Sequence, residues 1–222
     1  MFDILREELH AELSPSATIK DVAPESIEQE SMRIIDGYTR GWHIPDRVRP
    51  IVKRVVHTTG DFEYLKTLVF HPDAVRAGVD ALRGGATIYT DVTMVKSGIN
   101  KRYGHSVVCA LNEEGVKELA EREGITRAAA SIRSLSERLD GSIVAIGNAP
   151  TALLTLMDMV KSRMVSPALI VGTPVGFVNA REAKLVLEAL DTVPYITNRG
   201  FKGGSTVAAA IVNALIKMAF EE

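Results

Sequence analysis

Short β-rich apolar runs alternate along this chain with longer stretches of helical pattern, and the alternation restricts the fold more than any other feature. Thr67-Leu68-Val69-Phe70, Ala86-Thr87-Ile88-Tyr89-Thr90, Val107–Leu111, Ser142–Ile146 and Ala168–Val171 predict strands. Pro72–Leu82, Glu113–Glu121, Thr126–Leu139, Ala152–Lys161 and Asn179–Leu190 suit helices in length and pattern. The strand runs lack strict polar alternation, so both sheet faces are expected to be covered. Strands separated by helices then specify a three-layer α/β/α domain around a mainly parallel, five-stranded sheet. A chain of 222 residues, 46% hydrophobic and 24% charged, has the length for one sizeable core of this kind.

Residues 1–23 read as a short amphipathic segment and a Ser14-Pro15-Ser16-Ala17 loop, an N-terminal extension to one domain over 24–222. Ser26 followed three residues later by Gln29 predicts a capping box for a helix through Ile34 and Ile35, stopping at Gly37. A second helix is expected from Pro45 to about Val56, with Pro50 limiting its start. Its apolar positions Ile51, Val52, Val55 and Val56 flank the basic pair Lys53-Arg54, and His57 falls in its last turn. Two readings of His57 stand on the residues alone. It either caps a helix end by bonding a carbonyl, or it is a proton donor, because imidazole both gives and takes a proton near neutral pH. His43, beside Trp42 in a proline-bounded loop, is its strongest rival.

Three predicted loops combine glycine with hydroxyl or amide side chains immediately before a helix: Gly147–Thr151, Gly172–Gly176 and Thr197–Ser205. Ordinary turn and cap chemistry accounts for any one of them. Converging at the carboxyl ends of parallel strands, they would present helix N-termini to an anionic ligand. Such recognition has to be local, because 26 basic and 28 acidic residues leave a formal net charge of −2, with no broad field for nucleic acid or an anionic membrane.

Several classes lack support. Gly200-Phe201-Lys202-Gly203-Gly204-Ser205 does not keep the G-x-x-x-x-G-K-[ST] spacing of a nucleotide phosphate loop, and no G-x-G-x-x-G fingerprint follows a strand. His10, His43, His57, His71 and His105 form no i, i+4 pair, so no metal is expected. His71 and His105 read as structural, at a helix start and a strand start. No G-x-S-x-G elbow is present. Cys109, the sole cysteine, reads as a buried thiol in a strand, which fits a reducing cytoplasm. The amino terminus lacks the basic start and apolar centre of a secretory signal, and no apolar run approaches the roughly 20 residues of a membrane helix.

Arg54-Val55-Val56-His57-Thr58-Thr59-Gly60-Asp61-Phe62 resembles the signature of the precorrin-8X methylmutases, with Gly60 at the usual alanine. The resemblance continues through Thr90–Ile99, Ala145–Leu153, Val171–Val178 and Gly200–Ser205, and so spans nearly the whole chain from Pro24 onward. It implies a flavodoxin-like fold, a homodimer, and an isomerase of vitamin B12 biosynthesis that works without a cofactor. That enzyme moves a methyl group from C-11 to C-12 of precorrin-8X or cobalt-precorrin-8, giving hydrogenobyrinate or its cobalt counterpart. The proposed acid of the family maps onto His57, with Thr58 and Thr59 orienting imidazole or substrate and Asp61 beside the imidazolium. Substrate contacts are expected at Ser31, Thr58, Thr59, Asp91, Met94, Arg127, Asn148, Thr173 and Lys202, and Phe177 could supply an apolar wall. The partner expected is thus a polycarboxylated tetrapyrrole, as substrate and product. A non-catalytic tetrapyrrole carrier would keep the loops and be indifferent to loss of His57. A flavodoxin-like FMN protein would need a hydroxyl-rich phosphate loop where His71-Pro72-Asp73 stands.

Overall fold

Strand order within the sheet is β1-β6-β5-β4-β2-β3, in a computed structural model that describes Ala23 and residues 26–221. The chain divides into two compact units, one ending at Arg40 and one beginning at Gly41. The first contains helix α1 (Ile27–Thr39), which runs past Gly37. A helical glycine costs only about 1 kcal/mol relative to alanine, too little to end a helix by itself. Ser26 caps nothing with its side chain, because its own backbone is already in the right-handed helical region. The expected extension over residues 1–23 lies outside the described residues apart from Ala23.

The second unit opens with α2 (Arg49–Thr59) and a single turn, α3 (Tyr64–Thr67). Then follow β1 (Leu68–Phe70), α4 (Ala74–Arg83), β2 (Ile88–Thr90), α5 (Thr93–Gly98) and β3 (Val107–Val108). Next come α6 (Val116–Glu123), α7 (Arg127–Ser134) with a 3₁₀ turn at Ser136–Arg138, β4 (Ile143–Ile146) and α8 (Pro150–Lys161). The chain ends with β5 (Leu169–Gly172), α9 (Ala180–Glu188), β6 (Tyr195–Asn198) and α10 (Ser205–Phe220). Pro50 sits in the first turn of α2, where its missing N–H leaves no helical bond unmade.

β2 through β6 are parallel. Their order is that of flavodoxin-like doubly wound sheets, with the reversal between β2 and β4. β1 is added antiparallel to β6, pairing Leu68 with Asn198 and Phe70 with Ile196. Helices α2, α4 and α5 all pack on α10 on one face, while α6, α7, α8 and α9 pack in succession on the other. α10 is buried on nearly every side, which its almost wholly apolar sequence requires. All four residues of β4 are fully buried, and burial of Ile143, Val144 and Ile146 contributes about 1.5–3 kcal/mol each.

Among the described residues the sheet has six strands where five were expected. β6 escaped because half of it, Thr197 and Asn198, is polar, and both residues are nevertheless buried. The strand expected over 107–111 shortens to Val107–Val108 at the sheet edge, which leaves Cys109 half-buried just beyond it. The helix expected over 126–139 changes to a 3₁₀ turn after Ser134.

Candidate active site

Ligands of doubly wound sheets bind outside the carboxyl ends of the strands where the order reverses. Here Asp91, directly after β2, spans that reversal. Its Oδ1 accepts from Gly147 N at 3.1 Å, and its Oδ2 accepts from Asn148 N at 2.8 Å and Ala149 N at 2.7 Å. Burial pushes the Asp91 carboxyl up from its ordinary value, while the three N–H donors pull it back. Those donors lead into α8, so the carboxylate also faces the positive end of a helix. The donors expected to meet an anionic ligand in this loop are therefore engaged inside the protein, because a fully buried carboxylate at the end of β2 takes them. Of the loop, the Asn148 residue is left exposed.

The other two strand-end loops are laced to each other. Thr173, fully buried, donates its N–H to Ile146 O at 2.8 Å and accepts from Gly204 N at 2.8 Å. Gly203 passes so close that a Cβ there would lie 2.3 Å from Thr173 O, at a φ of +153°. Gly176 N donates to Phe201 O at 3.2 Å, and the Phe177 and Phe201 rings meet with centroids 5.5 Å apart. Phe177, beyond the carboxyl end of β5, is 86% exposed, a large apolar surface. Thr173 Oγ1 and Asn198 Oδ1 are buried and have no hydrogen-bond partner among the described residues.

His57 occupies the last turn of α2, half-buried, with Thr58 exposed beside it. Gly60 closes the helix in the left-handed region at φ 65°, its N–H reaching Val56 O. Thr59 Oγ1 donates to Val55 O at 2.8 Å and accepts from Asp61 N at 3.3 Å, which turns the chain sharply. Asp61 Oδ1 accepts from Glu63 N at 2.8 Å. The ammonium of Lys202 then closes this turn against the β6–α10 loop, 2.6 Å from Asp61 Oδ2 and 2.6 Å from Glu63 Oε2. The bond from Lys202 holds the Asp61 carboxyl below its ordinary value, and the two carboxylates hold Lys202 above the usual lysine range. Asp61, expected beside the imidazolium, thus has Lys202 as its charged partner. Tyr64 is buried under the same corner, where burial and the nearby Asp61 raise its hydroxyl.

His57, Thr58, Thr59 and Lys202 are therefore brought to one corner, and Asp91, Asn148 and Thr173 to the adjoining strand ends. Met94, 69% exposed, follows β2 in the first turn of α5. Arg127 begins α7 and reaches Asn112 Oδ1 at 3.2 Å; its neighbour Thr126 meets Thr151 of α8 at 2.7 Å. Ser31 belongs to α1 in the first unit. Elsewhere, His43 is exposed. His71 accepts from Asp73 N at 3.2 Å and meets Tyr195 edge-on, a structural role. Both ring nitrogens of His105 are buried with no partner among the described residues. Among those residues no group of three or more His, Cys, Asp or Glu is arranged to hold a metal ion, and no helix is long and apolar enough to cross a membrane.

Three residues here were not anticipated. Glu63 and Tyr64 extend the His57 signature by one turn, and the acidic pair Asp61 and Glu63 was a visible hint of a cation partner. Lys184 is buried, and its Nζ donates to Lys202 O at 2.6 Å. Its signal was its place in the apolar stripe Ala180, Ala183, Lys184 and Leu187 of α9.

Residues 26–218 match the precorrin-8X methylmutase family. The chain belongs to that family. It is 43% identical over 198 residues to the cobalt-precorrin-8 methylmutase of Priestia megaterium, covering 87% of this chain and 88% of the relative. To the precorrin-8X methylmutase of Pseudomonas aeruginosa it is 44% identical over 176 residues, covering 78% and 85%. The solved precorrin-8X methylmutase of Thermus thermophilus superposes with a TM-score of 0.81 at 41% identity, covering 88% of this chain and 96% of that one. As a member of this methylmutase family the chain is an isomerase of corrin biosynthesis, and the carrier and FMN readings lose their footing.

Proposed function

We propose that this methylmutase moves the methyl group from C-11 to C-12 of precorrin-8X or cobalt-precorrin-8, with the imidazolium of His57 as proton donor. The supporting observation is the tie from Lys202 to Asp61 and Glu63, which brings the glycine-rich β6–α10 loop to the turn that follows His57. A proton donated by His57 to a ring nitrogen or neighbouring atom draws electrons from the macrocycle and lowers the barrier to a sigmatropic shift. The proton returns to imidazole when the shift is complete, so the isomerisation consumes none and needs no covalent intermediate.

The substrate carries several carboxylates around a wide apolar ring, and the edge offers both kinds of surface. Lys202 and Arg127 supply charge, Thr58, Thr59 and Asn148 supply polar groups, and Met94 and Phe177 supply apolar walls. Asp91 and Thr173 shape the floor from beneath. The reading includes a homodimer in a reducing cytoplasm. Exposed Val175, Phe177 and Val178 support the former and the lone, half-buried thiol of Cys109 the latter. A monomer in sedimentation would remove the dimer.

His57→Ala tests the central step. Turnover should be lost while the coloured product still binds, as followed by visible absorption. Unchanged turnover would remove His57 from the chemistry, and loss of binding together with turnover would make it a binding residue instead.

A further inference from the structure

Lys184 is 1% exposed and forms no ion pair among the described residues. Its ammonium has one acceptor, the Lys202 carbonyl, at 2.6 Å. Asn198 Nδ2 donates to that same oxygen at 2.7 Å. Closing the loop would require no charge, since the neutral amide of Asn198 already reaches the oxygen. A buried ammonium without a counter-ion is costly, so its presence under this loop calls for a role. Burial lowers Lys184 to about 8, which leaves it mostly protonated at neutral pH, with a charge-assisted bond stronger than the amide's.

The oxygen it holds belongs to the residue whose side chain crosses to Asp61 and Glu63. One residue further on, Gly203 lies against Thr173 O with no room for a Cβ, and Gly204 N donates to that carbonyl. The main chain at Lys202 is thus fixed by α9 and β6 before its side chain leaves the loop. Rotation of that one peptide would redirect the ammonium.

We propose that Lys184 is a positioning residue: by holding the Lys202 carbonyl it sets the direction of the Lys202 side chain, and so the place of its ammonium beside the helix end that carries His57. Lys184 itself touches no substrate. The inference rests on the reading of this edge as the corrin site.

The test is a double-variant cycle in the full chain, with Lys184→Met, Lys202→Met and the pair. Hydrogenobyrinate is titrated by visible absorption, kcat and KM are measured with precorrin-8X, and each variant's melting temperature is recorded. Lys184→Met should raise the product Kd and KM about tenfold with kcat changed less than about threefold, and Lys184→Arg should recover most of that loss. In the Lys202→Met background the same change should add less than about twofold, because the group it places is gone. A tenfold cost in both backgrounds, or none in either, overturns the proposal. Should Lys184→Met fail to fold, Lys184→Gln, which keeps a neutral donor, carries the same cycle. Product binding needs no turnover, so a failed acid role for His57 leaves the cycle readable. Native protein that binds no hydrogenobyrinate overturns both the site and the proposal.

Discussion

Lys202 Nζ lies 2.6 Å from Asp61 Oδ2, joining residues 141 positions apart at the carboxyl edge of the sheet. The lysine side chain is half exposed, so the pair adds little to stability. Its consequence is the placement of a cation. Lys202→Met should therefore change the melting temperature by less than about 3 °C while weakening hydrogenobyrinate binding about tenfold, as read by absorbance titration. An unchanged affinity would take Lys202 out of the recognition of substrate carboxylates.

Asp61 gives a pH dependence whose sign follows from its lowered carboxyl. The folded state binds this proton less readily than the unfolded chain. The stabilisation is present above the unfolded value of about 4 and is lost as pH falls through the lower folded value. The difference in urea stability between the native protein and Asp61→Asn should be constant from pH 7 to about pH 5 and shrink in more acidic solution. A difference that grows on acidification would contradict the assigned pairing.

Gly203→Ala should be the most damaging single methyl in the loop. The new Cβ would sit 2.3 Å from a backbone oxygen, Thr173 O, and the residue would keep a φ that favours glycine. Strain and steric displacement together predict a loss of roughly 2–4 kcal/mol, or a melting temperature lower by roughly 5–15 °C. Gly200→Ala, with open space around its Cβ, is the comparison: it bears the cost of a positive φ without the clash. Equal losses at the two positions would show that the loop is free to shift.

Periodicity made the layers legible before the structure, because each buried strand is an apolar run and each surface helix has a stripe. It also placed His57 in the last turn of α2, and Gly60 closes that helix in the left-handed region. The same reasoning failed where burial is polar. Thr197 and Asn198 carry no hydropathy signal, yet their hydroxyl and amide bond Gly172 O and Lys202 O inside the sheet edge, so β6 read as loop. Lys184 escaped for a related reason, since its acceptor is a main-chain oxygen 18 residues away. Partners that are backbone atoms leave no mark in a sequence. The use of the Gly147–Ala149 donors by Asp91 was hidden likewise, since composition shows a helix N-terminus but not which buried carboxylate, 56 to 58 residues earlier, will occupy it.

Asp91→Ala should unsettle both strands at the reversal of the sheet. It would leave three N–H donors at the start of α8 without an acceptor, those of Gly147 and Ala149 buried, a loss of roughly 3–5 kcal/mol. Asp91→Asn keeps one oxygen for those donors and should cost less. Chemical unfolding of the two variants checks the order; if Asn is the worse, the amide's own donors clash with the cluster and the acceptor count is not what matters.

The most specific pH signature belongs to Lys184. Its folded value of about 8 lies below the usual lysine value near 10.4. Below pH 8 both states hold the proton and the cost of burying the ammonium is borne in full. Between about pH 8 and pH 10.4 the unfolded chain holds more protons than the folded one, so stability rises with pH, by up to about 3 kcal/mol from this group. Tyr64, Tyr195 and Tyr103, whose hydroxyls are raised, act in the opposite sense as the unfolded chain ionises near pH 10. Only the difference between the native protein and Lys184→Met isolates the lysine. That difference, measured by urea unfolding at pH 7, 8.5 and 9.5, should move in favour of the native protein as pH increases. A difference that is flat across the three values would mean that the ammonium is solvated, and that the bond to Lys202 O does not hold it inside the fold.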